Sequence, residues 1–242
     1  MSYISKIDSK RFGFKIARID FLEFPTVGLI PELKEAGIKM IISRIECEKL
    51  GLINQLEELK FKTMDFQVTY KYKIKNSYLT KEMIDSEFSI REAKKEDTLI
   101  LKEIAEESFD QYGHYFADKK LDQSNCREIY KDWIERSIEE RDVSDIVFIA
   151  EKGNEIAGFL SFKIKKDDFH FAAGVQGAVA KRFRNQNVFR VLAQGGLKWG
   201  SDLNLDWEEH NVLLTNYSVN RSLIRIGFIP CKSFVTMHCW LE

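Results

Sequence analysis

The 242-residue sequence predicts an α/β fold built as two modules, a small one followed by a larger one. Three observations carry this. Residues 13–74 alternate strand-like and helix-like patterns in the order β-α-β-α-β. Residues 145–166 read as a hairpin, two alternating stretches joined at Lys152-Gly153-Asn154. Residues 174–200 pass from a small-residue strand through a basic, amide-rich loop into a helix. In that helix Val188, Val191, Leu192 and Leu197 keep a period of roughly 3.6 residues.

The first module opens with GFKIARID (13–20), whose alternation suits a half-buried strand. TVGLIPELKEAG follows as a short helix, with Thr26 and Pro31 as start signals and Gly37 as a stop. IKMIISRI (38–45) is nearly all apolar and suits a strand covered on both faces. LGLINQLEELK places Leu50, Ile53, Leu56 and Leu59 along one helical side, and FKTMDFQVTYKYKI returns to alternation. The polar connector 75–88 marks a boundary, giving modules at 1–80 and 86–242.

The second module begins with a short strand, then an amphipathic helix entered at Asp97/Thr98 and carrying Leu99, Leu101, Ile104 and Ala105. FDQYGHYFADKKLD (109–122) has no clean period and many aromatics, so it reads as an irregular loop. CREIYKDWIERSI is a helix presenting Ile129, Trp133, Ile134 and Ile138. After the hairpin and the strand–loop–helix come a strand in HNVLLTNYS, a helix in VNRSLIRIGF closing at Gly227, and a last alternating strand, SFVTMHCWL.

Composition narrows the function. Thirty-seven basic residues against 38 acidic ones leave no excess for a nucleic-acid partner. No apolar run approaches the ~20 residues of a membrane helix, and MSYISKIDSKRFGF lacks the apolar core of a signal peptide. A reduced, cytoplasmic setting is expected for Cys47, Cys126, Cys231 and Cys239, which show no CxxC spacing. Neither they nor His114, His170, His210 and His238 have metal-ligand spacing, so no metal is expected. His170 and His210 border turns and read as surface residues.

The loop at Lys181–Asn187 is where chemistry is expected. The unbonded amides of a helix's first turn and the positive end of its dipole favour an anion there. An ordinary β-α unit with a solvated basic loop has the same pattern.

The element order of residues 88–242 resembles the GNAT acyltransferase superfamily. The likeness rests on VAKRFRNQNVF (179–189), TNYSVNRSLIRIGF (215–228) and the preceding hairpin. DSKRFGFKIARI (8–19), YGHYFADKKL, IYKDWI and MHCWL are further similar to the two-domain members that acylate amino sugars on nucleotide carriers. The resemblance implies a mixed, largely antiparallel central sheet. It also implies an acyl-CoA-dependent N-acyltransferase, with acetyl-CoA or a longer acyl-CoA as donor. The implied acceptor is a dTDP-linked 3- or 4-amino-dideoxyhexose used in surface polysaccharide. A GNAT enzyme acting on a protein or small-molecule amine, or a non-catalytic acyl-CoA-binding protein, are the alternatives. A homodimer through exposed strands of the small module is compatible with the pattern.

The resemblance also distributes roles. Gly177, Ala178 and Val179 would line the pantetheine arm, with a backbone N–H near Val179 polarising the thioester carbonyl. Arg184, Asn185, Gln186, Asn187, Val188 and Phe189 would surround the pyrophosphate, with Arg182 or Arg184 adding charge. Two departures stand out there: Asn187 and Phe189 occupy the superfamily's glycine positions, and asparagine tolerates the left-handed conformation. Asn216 would contact the pantetheine or cap its helix. The tyrosine that commonly protonates the leaving thiolate is Leu223 here, which leaves Tyr217 and Ser218 as acids. His114 is the candidate base, or else a sugar contact. Tyr112, Tyr115, Phe116, Asp118 and His238 complete the acceptor side, the aromatics as stacking platforms.

Overall fold

The computed structural model describes residues 3–21, 23, 28–74, 86–166 and 169–241. Thr26 and the greater part of the connector lie outside them. The chain divides into two compact units: residues 1–68, 111–126 and 232–242 form the first, residues 69–110 and 127–231 the second. This differs from a single boundary at residues 80–86. Residues 111–126 and 232–242 join the amino-terminal stretch, the latter because a strand near the end of the chain pairs with a strand near its start.

In the first unit, Ser5 caps helix α1 (Lys6–Phe12) through a hydrogen bond from the Asp8 amide. Strand β1 (Ile16–Arg18) pairs in parallel with β2 (Met40–Glu46), and β2 pairs antiparallel with β9 (Ile229–Trp240) from Glu46↔Phe234 to Met40↔Trp240. Strand β3 (Lys62–Lys73) follows β9 in the order. One face of this sheet buries Ala17, Ile41, Ile45, Val235 and Met237. Against it pack Leu33 of α2 (Leu29–Glu35) and Leu52 and Leu56 of α3 (Leu50–Glu58). On the other face, α5 (Gly113–Ala117) replaces the irregular loop expected at 109–122. The helix is a single short turn sequence of aromatics, too brief to show a period.

The second unit orders its strands β3-β8-β7-β6-β5-β4. Here β4 is Ser89–Glu92, β5 Ile146–Lys152, β6 Glu155–Lys166, β7 His170–Val179 and β8 Trp207–Leu213. Gly153 turns the β5–β6 hairpin at φ 61°, a left-handed conformation open to glycine. Helix α4 (Thr98–Phe109), α6 (Gln123–Glu139, its residues from Arg127 onward), α7 (Val188–Asp202) and α8 (Tyr217–Ile226) complete the unit. Among the described residues no helix is long and apolar enough to cross a membrane.

Helix α7 lies close to the sheet because Gly196 has no side chain. A Cβ there would stand 2.2 Å from Cζ of Phe162 and 2.7 Å from Oε2 of Glu208.

Candidate active site

In the second unit, β7 and β8 run parallel and pair only from Phe171↔Trp207 to Gly174↔His210. Beyond that rung no pairing continues, although β7 runs on to Val179 and β8 to Leu213. Meanwhile β7 stays paired with β6 through Ala178↔Phe159 and Val179↔Gly158. The Ala180 amide donates to the Ala157 carbonyl at 2.9 Å, which sets the alternation. Even-numbered residues near it direct their peptide groups to β6, so those of Gly177 and Val179 point to the side β8 has left. Gly177 and the Val179 amide thus face the gap, while the Val179 carbonyl is taken up by Arg184.

The loop at the end of β7 is tied down locally. Its first residues form a 3₁₀ turn, Lys181–Phe183, with Phe183 buried. Arg184 Nε donates to the Val179 carbonyl at 3.2 Å and its Nη2 to Ser108 Oγ at 3.3 Å. Arg182 pairs with Glu155 at 3.1 Å on the surface. Both arginines therefore make contacts within the protein, and Arg184 works as a strut between loop and strand. Gln186 Nε2 donates to the Arg182 carbonyl.

Asn185 and Asn187 are both left-handed, at φ 65° and 63°. Asparagine takes that conformation at lower cost than other non-glycine residues. Asn187 is the N-cap of α7, and no side chain caps the helix. The first amide bonded in the turn is Val191, to the Asn187 carbonyl at 3.1 Å. The amides of Val188, Phe189 and Arg190 precede it and have no intrahelical acceptor. Phe189 is half-buried and sets its ring edge-on to His210, centroids 6.2 Å apart, so it packs inward.

His210 itself corrects the surface reading: it is 5 % exposed. Its Nε2 lies 2.7 Å from Oε1 of Glu208, which is fully buried. Burial pushes the Glu208 carboxyl up, and the imidazole pulls it partly back. A lone histidine beside a turn carries no sign of this; the alternation Trp207–Leu213, with Glu208 and His210 on one face, was the available signal.

Helix α8 starts as expected. The Asn216 side chain accepts from the Val219 amide at 3.3 Å, a helix cap. Tyr217 is exposed, Ser218 beside it is exposed, and Leu223 is wholly buried. Leu223 is thus core.

The first unit holds His114, Asp118 and His238 in one buried chain. His238 Nδ1 lies 2.8 Å from Asp118 Oδ2, and His238 Nε2 lies 2.9 Å from His114 Nδ1. Trp240 Nε1 also donates to Asp118 Oδ2, at 2.9 Å. Despite its burial, Asp118 is held below the usual carboxylate range by the His238 and Trp240 hydrogen bonds. Burial first, then the neighbouring His238, Arg18 and Arg44, keeps His114 well below its ordinary value. In the tautomer in which His238 gives Nδ1–H to Asp118, its Nε2 accepts from His114 Nδ1–H. His114 Nε2 is then the nitrogen left without a proton.

Tyr115 and Phe116 are buried in the core, which corrects their assignment as stacking platforms. The Tyr115 hydroxyl donates to Asp8 at 2.8 Å and accepts from Arg18.

The parallel strands β7 and β8 thus part beside the helix mouth, where no side chain caps α7. Residues 101–217 match the model of the acetyltransferase (GNAT) family, whose members are acyl-CoA-dependent N-acetyltransferases.

No curated protein matches the chain. Solved structures do, at identities where the likeness is one of fold. A GCN5-related N-acetyltransferase from Sphaerobacter thermophilus is 12 % identical with TM-score 0.64, covering 98 % of this chain and 75 % of that one. One from Kribbella flavida is 9 % identical with TM-score 0.62, covering 93 % and 80 %. A tandem GNAT protein from the clavulanic acid biosynthesis pathway, solved without AcCoA, is 12 % identical with TM-score 0.57, covering 93 % and 75 %.

The left-handed residue at the helix mouth gives a direct test. Valine at position 187 would cost about 1–2 kcal/mol in that conformation, so the loop relaxes and its amides diverge. Restoring convergence on binding then weakens CoA roughly tenfold. Calorimetry on Asn187→Val is expected to show this, and an unchanged dissociation constant would remove the loop from donor binding.

Proposed function

We propose that the enzyme acetylates the amine of a nucleotide-linked amino-deoxy sugar, a dTDP-linked 3- or 4-amino-dideoxyhexose. One observation supports this most. Three stretches that carry the likeness to nucleotide-amino-sugar acyltransferases, far apart in the chain, are hydrogen-bonded to one another in the first unit. Asp8 meets Tyr115, His114 meets His238, and Asp118 meets Trp240.

In this reading Gly177, Ala178 and Val179 line the pantetheine arm, with the Val179 amide directed at the thioester carbonyl. The amides from Asn185 to Phe189 hold the pyrophosphate, and Asn216 fixes the start of α8. The donor supplies an activated acyl group when bound. His114 Nε2 accepts a proton from the acceptor amine, and Asp118 through His238 fixes its tautomer. Tyr217 or Ser218 returns a proton to the leaving thiolate, the role Leu223 cannot fill. Acetyl-CoA and nucleotide sugars are both cytoplasmic metabolites, which suits that compartment.

The experiment is a thiol-release assay with acetyl-CoA and a panel of dTDP-3- and dTDP-4-amino sugars, polyamines and peptides. Release with a nucleotide amino sugar is expected. Release with peptides or polyamines alone would reassign the acceptor. CoA binding with no release across the panel would favour a non-catalytic protein, the reading that buried Leu223 motivates.

A further inference from the structure

The sheet face under α5 has a second polar group, next to the histidine chain and separate from it. In the β2–β9 ladder Arg44 is paired with Thr236. The preceding same-face rung joins Arg18, Ile42 and His238. Side chains alternate along strands, so Arg44 and Thr236 share the face of Arg18 and His238 and turn away from the Ile41–Met237 core.

What sets this group apart is that it is unsatisfied. Thr236 is 1 % exposed and its hydroxyl has no hydrogen-bond partner among the described residues. Both carboxylate oxygens of Asp65, on β3, are buried and equally without partners among them. The half-buried Arg44 guanidinium makes no ion pair or hydrogen bond among the described residues, although its backbone amide is held by Asp20 at 3.0 Å. Burial draws Arg44 below its ordinary value, Asp65 is the strongest charge acting in its favour, and Arg18 acts against it. By contrast Arg18 is committed, with Nε on Asp8 at 2.7 Å and Nη2 on Tyr115. Buried polar groups are ordinarily paired, and an Arg44–Thr236 rung left unpaired, with the unpaired Asp65 carboxylate close enough for its charge to act on Arg44, calls for a ligand.

We propose that Arg44, Thr236 and Asp65 form a small-molecule subsite for a ligand carrying both an anionic group and an ammonium. The guanidinium and hydroxyl donate to a phosphate or carboxylate, and Asp65 accepts from the amine. The inference rests on the acceptor reading above and narrows it, since a nucleotide amino sugar carries both charges.

Calorimetry on the full chain tests it with three probes: dTDP, dTDP-4-amino-4,6-dideoxyglucose and 6-aminohexanoate. Arg44→Gln is expected to weaken both nucleotides at least about tenfold, while Arg44→Lys keeps part of the affinity. Asp65→Asn is expected to weaken the amino sugar and spare dTDP. The CoA dissociation constant should stay within about twofold throughout. Nucleotide binding unchanged in both Arg44→Gln and Thr236→Val would overturn the subsite, even where the wild type acetylates the sugar. Binding of 6-aminohexanoate alone, lost in Arg44→Gln, would uphold the subsite with a carboxylate ligand and remove the nucleotide-sugar reading. Should the variants fail to fold, wild-type crystals soaked with the amino sugar decide: its diphosphate on Arg44 supports the subsite, and a diphosphate elsewhere overturns it.

Discussion

Exchanging His114 for glutamine is expected to lower turnover by about two orders of magnitude or more, the usual scale for a lost general base. The amide can still donate to His238 Nε2, so the buried chain to Asp118 keeps its partners. It cannot accept a proton at neutral pH. Because the Lys181–Asn187 loop, proposed above to hold the donor, belongs to the other compact unit, the CoA dissociation constant should move less than about twofold. Equal losses in both would take His114 off the acceptor side. The same variant should change stability against pH. His114 is held well below its ordinary value by burial, so the unfolded chain takes up a proton that the folded chain refuses. The stability this contributes is present above the unfolded value of about 6.5 and drains away as pH falls towards the lower folded value. Over that window the wild type should lose up to about 1.4 kcal/mol per pH unit relative to His114→Gln. Taking the difference cancels Glu208, whose raised carboxyl acts in the opposite direction.

The second large effect is on folding. Gly196→Val would place a branched side chain where a Cβ alone lies 2.2 Å from Phe162, itself fully buried between α7 and the sheet. Overpacking of this kind costs about 1–3 kcal/mol and more where the neighbours cannot yield. Glu208, buried and unpartnered at Oε2, cannot move to water. A fall in Tm of about 6–10 °C is expected, with Phe162→Leu in the same chain restoring part of it. An unaltered melting curve would mean that α7 rides higher on the sheet than described.

Much of this was legible in local pattern. The α7 stripe of Val188, Val191, Leu192 and Leu197 is buried as its period requires, and Gly153 turns the hairpin. Asn187 adopts the left-handed conformation that its place in the turn demands. What stayed hidden depends on contacts distant in sequence. Nothing near Phe234–Trp240 says that this strand pairs with Met40–Glu46. Without that pairing His238 cannot be set beside His114, nor Thr236 beside Arg44. Tyr115 and Phe116 looked like platforms because their neighbours are polar. Two of those neighbours, His114 and Asp118, are themselves turned inward and hydrogen-bonded.

The strand β7 has one more implication, for how such an enzyme changes over time. If the acyl donor is gripped at Gly177 and Val179 by peptide bonds, every substitution there except proline, which lacks the N–H, leaves the gripping atoms in place. Donor recognition of that sort is insulated from coding drift. Altering which acyl chain is accepted becomes a matter of resculpting bulk around it.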